Sequence, residues 1–422
     1  MNEWARWFIL RPSMSGEVST QDSPPGLRRQ LALFFCVAAC MALGVGVYDS
    51  TFNNYLKDTF ALSAPARGFL ELPREAPGFL VVLTAGVLCM LPVTRVGMVG
   101  ALILASGMIG LSLAGSSYGL MVLMMVLGST GLHLMMPVSD SLCIGLSGDA
   151  NRGRRMGHIG AVSTAGTIAG TCLVWRLLDK TDPQYGIAFA GAGAVVLAGA
   201  VLYARMHVPH LHQRRARLVA AKKFRLYYVL EFLYGARKQI FVTFGPWVLI
   251  EVYKEPANAI AGLLMTAAII GIGFRPLVGY AIDRFGERAV MIADGLCLSV
   301  VCLGYGYALR LFGEPERALP VACACFILDN LLFAMGTSRA IYMSRIASSP
   351  QEVTSTLAMG ISINHIASMT IPLIAGKMWS RFGFERVFLA AAVLALTVAA
   401  VSTLAPRKGA QIVMRTDAAS LP

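Results

Sequence analysis

Charge is scarce in this chain. Of 422 residues only 14% are Asp, Glu, Lys or Arg, 56% are hydrophobic, and the mean hydropathy is +0.64. Soluble domains carry about a quarter of their residues as charges, so nothing here is left over for one. The sequence also lacks a phosphate loop of the form G-x-x-x-x-G-K-[ST], an HExxH pair and a nucleophile elbow. Those absences argue against ATP-driven transport, zinc-dependent hydrolysis and acyl transfer, so no enzyme and no cofactor is expected. The nine cysteines fit no metal framework. Cys36, Cys40, Cys89, Cys172, Cys297, Cys302, Cys323 and Cys325 fall inside apolar runs and Cys143 just after one. Cys323 and Cys325, two apart, point nearly opposite ways on a helix and cannot chelate one ion. They read as small apolar packing residues, without disulfides or metal.

What is abundant is apolar sequence in long runs. About a dozen segments approach the roughly 20 residues a helix needs to cross ~30 Å of hydrocarbon. They lie near 31–53, 73–91, 96–115, 118–137, 157–178, 185–206, 227–251, 257–282, 289–309, 319–338, 353–378 and 385–404. Stretches such as 98–113 and 187–202 are apolar on every face, which suits lipid and not a one-sided soluble helix.

A net charge of +13 would suggest nucleic acid in a soluble protein. Here Lys and Arg sort by loop parity instead. With the N-terminus inside, the inner loops and tails hold more than twice the basic residues of the outer loops, which predicts both termini in the cytoplasm. The opening residues contain Trp4, Trp7 and Phe8 but no long apolar run followed by a small-residue cleavage site, so they read as a tail and not as a signal peptide. The longest polar break, rich in Arg, Lys and His, divides the segments six and six. A faint internal repeat agrees: Met156-Gly157 leading to Trp175 matches Met359-Gly360 leading to Trp379. The expected layout is an all-α integral membrane protein of twelve transmembrane helices in two pseudo-symmetric bundles. It has a tail over 1–30, a bundle over 31–206, a basic linker over 207–226, a bundle over 227–405 and a tail over 406–422. It is read as a monomer in the inner (cell) membrane, with lipid as its solvent and no nucleic-acid partner.

The eighth connection holds the most specific motif, Gly279-Tyr-Ala-Ile-Asp283-Arg284-Phe-Gly286-Glu-Arg288. It resembles the cytoplasmic-loop signature G-x-x-x-D-R-x-G-x-R of the major facilitator superfamily. Arg152-Gly-Arg-Arg-Met-Gly157 before segment five and Trp379-Ser-Arg-Phe-Gly383 followed by Phe388 agree with it, and the resemblance spans residues 27–405. The first copy of the signature, between segments two and three, survives only as Thr94-Arg95-Val96-Gly97, with Thr94 where the acidic residue belongs. The resemblance implies a secondary transporter that rocks two halves around a midplane site walled by segments one, four, seven and ten. A carboxylate is favoured near guanidinium groups and a helix N-terminus. Asp283 is therefore expected to latch the inner side against Arg152 and Arg154 at the start of segment five. The alternative is that Asp283, Gly286 and Arg288 simply form a tight turn.

Charges within a bilayer are costly, by ~2.5–3.5 kcal/mol on insertion scales, and mark pathways. Segment one carries Asp49 and Asn53 on one face, and segment two opens with Glu71, Arg74 and Glu75. An Asp49–Arg74 pair is one expectation. Segment seven holds Glu231, Tyr234, Arg237 and Lys238, and segment ten holds Asp329 and Asn330 at similar depth. An Arg237–Asp329 pair would leave Lys238 to be balanced by Glu231 or by substrate. Expected substrate contacts are Arg237, Lys238, Tyr234, Asp329, Asn330 and Asn53, since a guanidinium and an ammonium suit an anionic group. Expected proton carriers are Asp49, Asp329 and Glu231, because burial and an approaching cation move a carboxyl pKa in opposite directions. His133 and the Asn364-His365 pair are weaker candidates for proton relay. The function so implied is proton-coupled transport of a small organic anion or zwitterion. The alternatives are efflux of amphipathic drug-like compounds and a sensor or scaffold that keeps the fold without transport.

Overall fold

The structure, a computed structural model, describes residues 25–88, 91–146, 152–208 and 221–407. Most of the expected tails and of the basic linker lie outside the described residues, as does Cys89. Every regular element described is helical. In chain order these are α1 (Pro25–Phe60), α2 (Ala64–Phe69), α3 (Glu71–Leu88), α4 (Val93–Ala114), α5 (Tyr118–Gly145), α6 (Arg152–Leu177), α7 (Tyr185–Ala204), α8 (Arg225–Glu251), α9 (Ala257–Phe285), α10 (Glu287–Phe312), α11 (Pro315–Leu332), α12 (Thr337–Ile346), α13 (Pro350–Phe382) and α14 (Phe384–Ser402).

Among the described residues, nine helical stretches are long and apolar enough to cross a membrane. The long helices that miss this mark are α3, α6 and α8. Each is enriched in polar groups: Glu71, Arg74 and Glu75 on α3, an arginine-rich start on α6, and Glu231, Arg237 and Lys238 on α8. A helix with charge on one face crosses lipid only if that face is turned inward.

Helix α4 packs on α5 and α7, and α1 on α6 and α7, while α10 packs on α11 and α14 and α8 on α13 and α14. Between these groups run α9 against α6 and α1, and α13 against α2 and α3. Small residues set the closest approach. A Cβ at Gly170 of α6 would stand 2.3 Å from the Leu43 carbonyl oxygen of α1, and one at Gly46 of α1 would stand 2.9 Å from that of Thr167. Backbones this close exchange hydrophobic area for dense van der Waals contact, the main attraction available between helices in lipid.

We call the end of the bundle at which α1 begins near Pro25 the near end, and the other the far end. The far end is shut. Lys57 reaches Glu251 at 3.5 Å, Asn54 Nδ2 donates to the Glu255 carbonyl at 3.0 Å, and a Cβ at Gly376 of α13 would meet the Ala64 carbonyl of α2 at 2.9 Å. An aromatic cluster seals the interior beneath it, with Trp247 and Phe244 fully buried and Phe241 edge-on to Phe388 at 5.5 Å. Toward the near end, among the described residues, a Cβ at Gly157, Gly160 or Gly279 would meet nothing within 4 Å.

Three local features depart from the sequence expectation. Helix α1 begins at Pro25, ahead of residue 31, because proline at a helix start gives up only a donor that has no intrahelical partner. Segment two is preceded by the short α2, again opened by a proline, and this turns Arg67 inward. Segment ten is not one helix. It ends at Leu332, passes through a 3₁₀ turn over Phe333–Gly336 and restarts as α12. At Gly336 a Cβ would lie 2.9 Å from Arg339 Nη2, so glycine there lets the arginine fold back across the break.

Candidate functional site

Two adjoining cavities run along the molecular interior. A chamber of ≈ 330 Å³ is roofed by the far-end contacts, and a vestibule of ≈ 650 Å³ leads from it toward the near end. Asp49, Leu264, Asn330 and Phe333 line both, so the two form one path. Tyr48, Phe52, Phe241, Phe326 and Phe333 give the chamber an aromatic wall, and its polar groups are Asp49, Asn53, Arg67, Arg74, Asp329 and Asn330.

Asp49 is exposed on this wall and, among the described residues, makes neither ion pair nor hydrogen bond. The expected Asp49–Arg74 pair is not what forms. Arg74 instead bonds Glu71 at 2.6 Å and Glu75 at 2.8 Å, its own neighbours on α3. The three-residue spacing puts Glu71 on the same helix face as Arg74, without any cost in positioning a second helix, and the long guanidinium side chain also reaches the adjacent Glu75. Glu71, fully buried, also accepts from Arg67 Nη1 at 2.5 Å and from Gln239 Nε2 of α8 at 2.8 Å. Arg67 in turn donates from Nε to Asn53 Oδ1 at 2.9 Å. The network holds Asn53 and Arg74 in fixed orientations facing the chamber, with Arg74 partly accessible.

The charges of α8 lie elsewhere. Arg237 pairs with Asp329, each 1% exposed, and its guanidinium sits 5.8 Å from the ring centres of both Tyr234 and Phe333. Asp329 reaches the chamber wall; Arg237 stands behind it. Lys238 donates to Asn364 Oδ1 at 2.8 Å. Glu75 and Glu231 both attract the Lys238 ammonium, so Glu231 does contribute to its balance, at a distance and not as a direct ion pair. Glu231 has its close contact elsewhere. It accepts from Arg339 Nε at 3.2 Å, and the Arg339 guanidinium carbon stands over Tyr234, 3.3 Å from the ring centre, with Asp294 at 3.8 Å. A planar guanidinium can stack and form a fork at once, which an ammonium cannot. Arg67, Arg339 and Asp294 escaped the sequence reading: two sit in short helices beside a break, and Asp294 lies in an otherwise apolar helix.

At the near end Gly279 lines the vestibule, and Asp283 and Arg284 are exposed at the end of α9. Gly286 has φ 85° and donates its N–H to the Ile282 carbonyl at 2.8 Å, closing the turn into α10, where Arg288 donates to the Ala405 carbonyl at 3.1 Å. Arg152 and Arg154 open α6, and their side chains lie outside the described part of the structure.

Comparison with known proteins gives these features a context. The family model described as Major Facilitator Superfamily matches residues 34–349 and 227–413. No curated protein sequence matches. Among solved structures, the nucleoside transporter NupG is 15% identical, with 89% of this chain and 98% of that one aligned at a TM-score of 0.69. The inward open xylose transporter XylE from E. coli is 13% identical over 90% and 97% of the two chains, at a TM-score of 0.71. FucP in its outward conformation is 15% identical over 89% and 98%, at 0.58. At such identities the structural likeness speaks for the fold, while the family match covers most of the sequence. The chain therefore belongs to the Major Facilitator Superfamily, as a multi-pass membrane transporter and not an enzyme.

Proposed function

We propose that this protein is a proton-coupled secondary transporter of a small zwitterionic or anionic organic solute, built as two six-helix halves of twelve membrane-crossing helices that rock about the central chamber. The near end is the cytoplasmic one, as the excess of basic residues there supports, so the state described is open inward. The observation that carries the reading is the chamber itself. It is closed at one end, continuous with a vestibule at the other, and presents an unpaired carboxylate, Asp49, in the same space as a partly accessible guanidinium, Arg74. Opposite charges held apart on one wall complement a molecule that carries both. Asn53 and Asn330 add neutral hydrogen-bonding groups. Arg237 and Lys238 act behind the wall: the first fixes Asp329 and the second is tied to Asn364. Asp49 and Asp329 are the proposed proton carriers, since each faces the cavity that a passing solute would occupy.

The aromatic wall favours a second reading within the same class, efflux of an amphipathic compound with a ring to stack on Tyr48, Phe241 or Phe326. A thermal-shift panel of small zwitterions, organic anions and aromatic cations on purified protein separates the two, because a ligand of the folded state raises its melting temperature. A zwitterion or anion is expected to stabilise the wild type and to lose at least tenfold in affinity in Arg74→Gln. Stabilisation by aromatic cations alone, unchanged in Arg74→Gln, sinks the first reading. Uptake of the identified solute into proteoliposomes is expected to fall when a protonophore collapses the pH gradient; persistence of the same rate rules out proton coupling.

A further inference from the structure

Beside the chamber, three chemistry-bearing side chains from three helices meet in the interior. Glu75 of α3, His133 of α5 and His365 of α13 are 7%, 6% and 9% exposed, and one ligand atom from each lies within 4.8 Å of the others. His365 Nδ1 stands 3.1 Å from Glu75 Oε2, and the two imidazoles meet edge to face with centres 4.9 Å apart. The transport reading uses Glu75 only as a partner of Arg74, which leaves its second oxygen and both imidazoles over.

Its outer contacts are those that prepare ligands. His133 Nδ1 lies 2.8 Å from the Ser129 carbonyl oxygen and 3.1 Å from Ser129 Oγ; a carbonyl only accepts, so in the neutral imidazole that donates to it the lone pair is on Nε2. That nitrogen is turned toward α3, only 2.7 Å from where a Cβ at Gly78 would be. Glu75 gives one oxygen to Arg74 at 2.8 Å and keeps Oε2 for the trio. A histidine held by a backbone carbonyl through one nitrogen, and a carboxylate held through one oxygen, is the outer-shell pattern that orients metal ligands. We infer that Glu75, His133 and His365 form a binding site for a divalent transition metal of the Zn²⁺ and Co²⁺ class.

Geometry and charge both bear on this. Bonds of ~2.0–2.1 Å in a tetrahedron place neighbouring ligand atoms roughly 3.3 Å apart. The His365–Glu75 separation is already there, and the remaining ligand-atom separations are within 4.8 Å. Gly78 leaves the imidazoles the room: a methyl on it would stand 2.4 Å from His365 Cε1 and 2.5 Å from His133 Cδ2. Two imidazoles with one carboxylate select Zn²⁺, Co²⁺ or Ni²⁺ over Mg²⁺ and Ca²⁺, which want an all-oxygen shell. Arg74 opposes an incoming cation, yet Glu71 shares it, so Arg67, Arg74, Glu71 and Glu75 sum to zero before a metal arrives. Lys238, hydrogen-bonded to the neutral Asn364 and also attracted to Glu75, adds one positive charge that an incoming cation has to outweigh. A bound ion would tie α13 to α3 and α5, and protons would compete with it for the imidazoles.

The test needs no substrate, so its failure leaves the transport reading untouched. Full-length, tag-free protein is stripped with a chelator and titrated with Co²⁺. One equivalent is expected to bind with the visible absorption of a four- or five-coordinate ion, and Zn²⁺ to displace it and raise the melting temperature. His133→Ala and His365→Ala are each expected to weaken Co²⁺ binding on the order of 10–100-fold or more, and the exposed His158, replaced by Ala, to leave it unchanged. Gly78→Ala keeps all three ligands but crowds them, and is expected to weaken binding as well; it carries the test should a histidine variant fail to fold. No bound Co²⁺ in the wild type, or wild-type affinity in the variants that fold, overturns the proposal.

Discussion

Arg237 and Asp329 show what a buried pair demands of a membrane helix. Each is 1% exposed, Asp329 just reaching the chamber wall, and among the described residues Arg237 Nε and Nη2 and Asp329 Oδ2 find no hydrogen-bond partner. Removing one member leaves the other charged and unpaired, at a cost of about 3–5 kcal/mol. Arg237→Gln is therefore expected to lower the melting temperature of purified protein steeply, whereas the double change Arg237→Met with Asp329→Leu recovers most of it. Equal losses in the single and double variants would show that Arg237 does its work by packing over Tyr234 and Phe333. This pair was legible in the sequence because two opposite charges at one depth in lipid have little choice of partner. Asp49, Asn53, Asp329 and Asn330 were legible for the same reason and do line the chamber. The Arg74–Glu71 pair follows from three-residue spacing on α3 and was open to a helix-face argument, whereas the break after α11 that swings Arg339 onto Glu231 has no such signal.

At the scale of elements, the α9–α10 junction joins two roles that the sequence left open. Gly286 adopts φ 85° and ψ 157°, a region that side chains strain to enter. Gly286→Ala is expected to cost about 1–3 kcal/mol and to show it as a lower melting temperature. Asp283 sits at the exposed end of α9. If it latches the near end in the opposite state of the cycle, Asp283→Asn leaves thermal stability nearly unchanged while shifting the population toward the open near end. If it serves only the turn, Asp283→Asn lowers the melting temperature alongside Gly286→Ala and leaves that population alone. The apolar middles of the segments were legible, but not their ends: α5 runs through Pro137 to Gly145, past the expected end at 137, and α6 starts at Arg152, ahead of 157. Also missed were α2 and α12, each too short to announce itself by hydropathy.

For the whole molecule the deciding asymmetry is between its ends. Contacts through Lys57, Asn54, Gly376 and Gly262 bind the far end, the last because a Cβ there would meet the Trp175 ring at 3.2 Å, whereas the vestibule leaves Gly279 of α9 open. Solvent access at residue 279 thus reports which side faces the passenger. In a cysteine-free background, Gly279→Cys is expected to react with a membrane-impermeant maleimide in inside-out vesicles and not in right-side-out ones. A chamber ligand that favours closure of the near end should slow the reaction, and Asp283→Asn should speed it if the latch exists. Labelling only in right-side-out vesicles would invert the topology assigned from the basic loops, and with it the direction in which the chamber opens. Equal labelling from both sides, insensitive to every ligand in the panel, would describe a water-filled pore, which a carrier built on alternating closure cannot be.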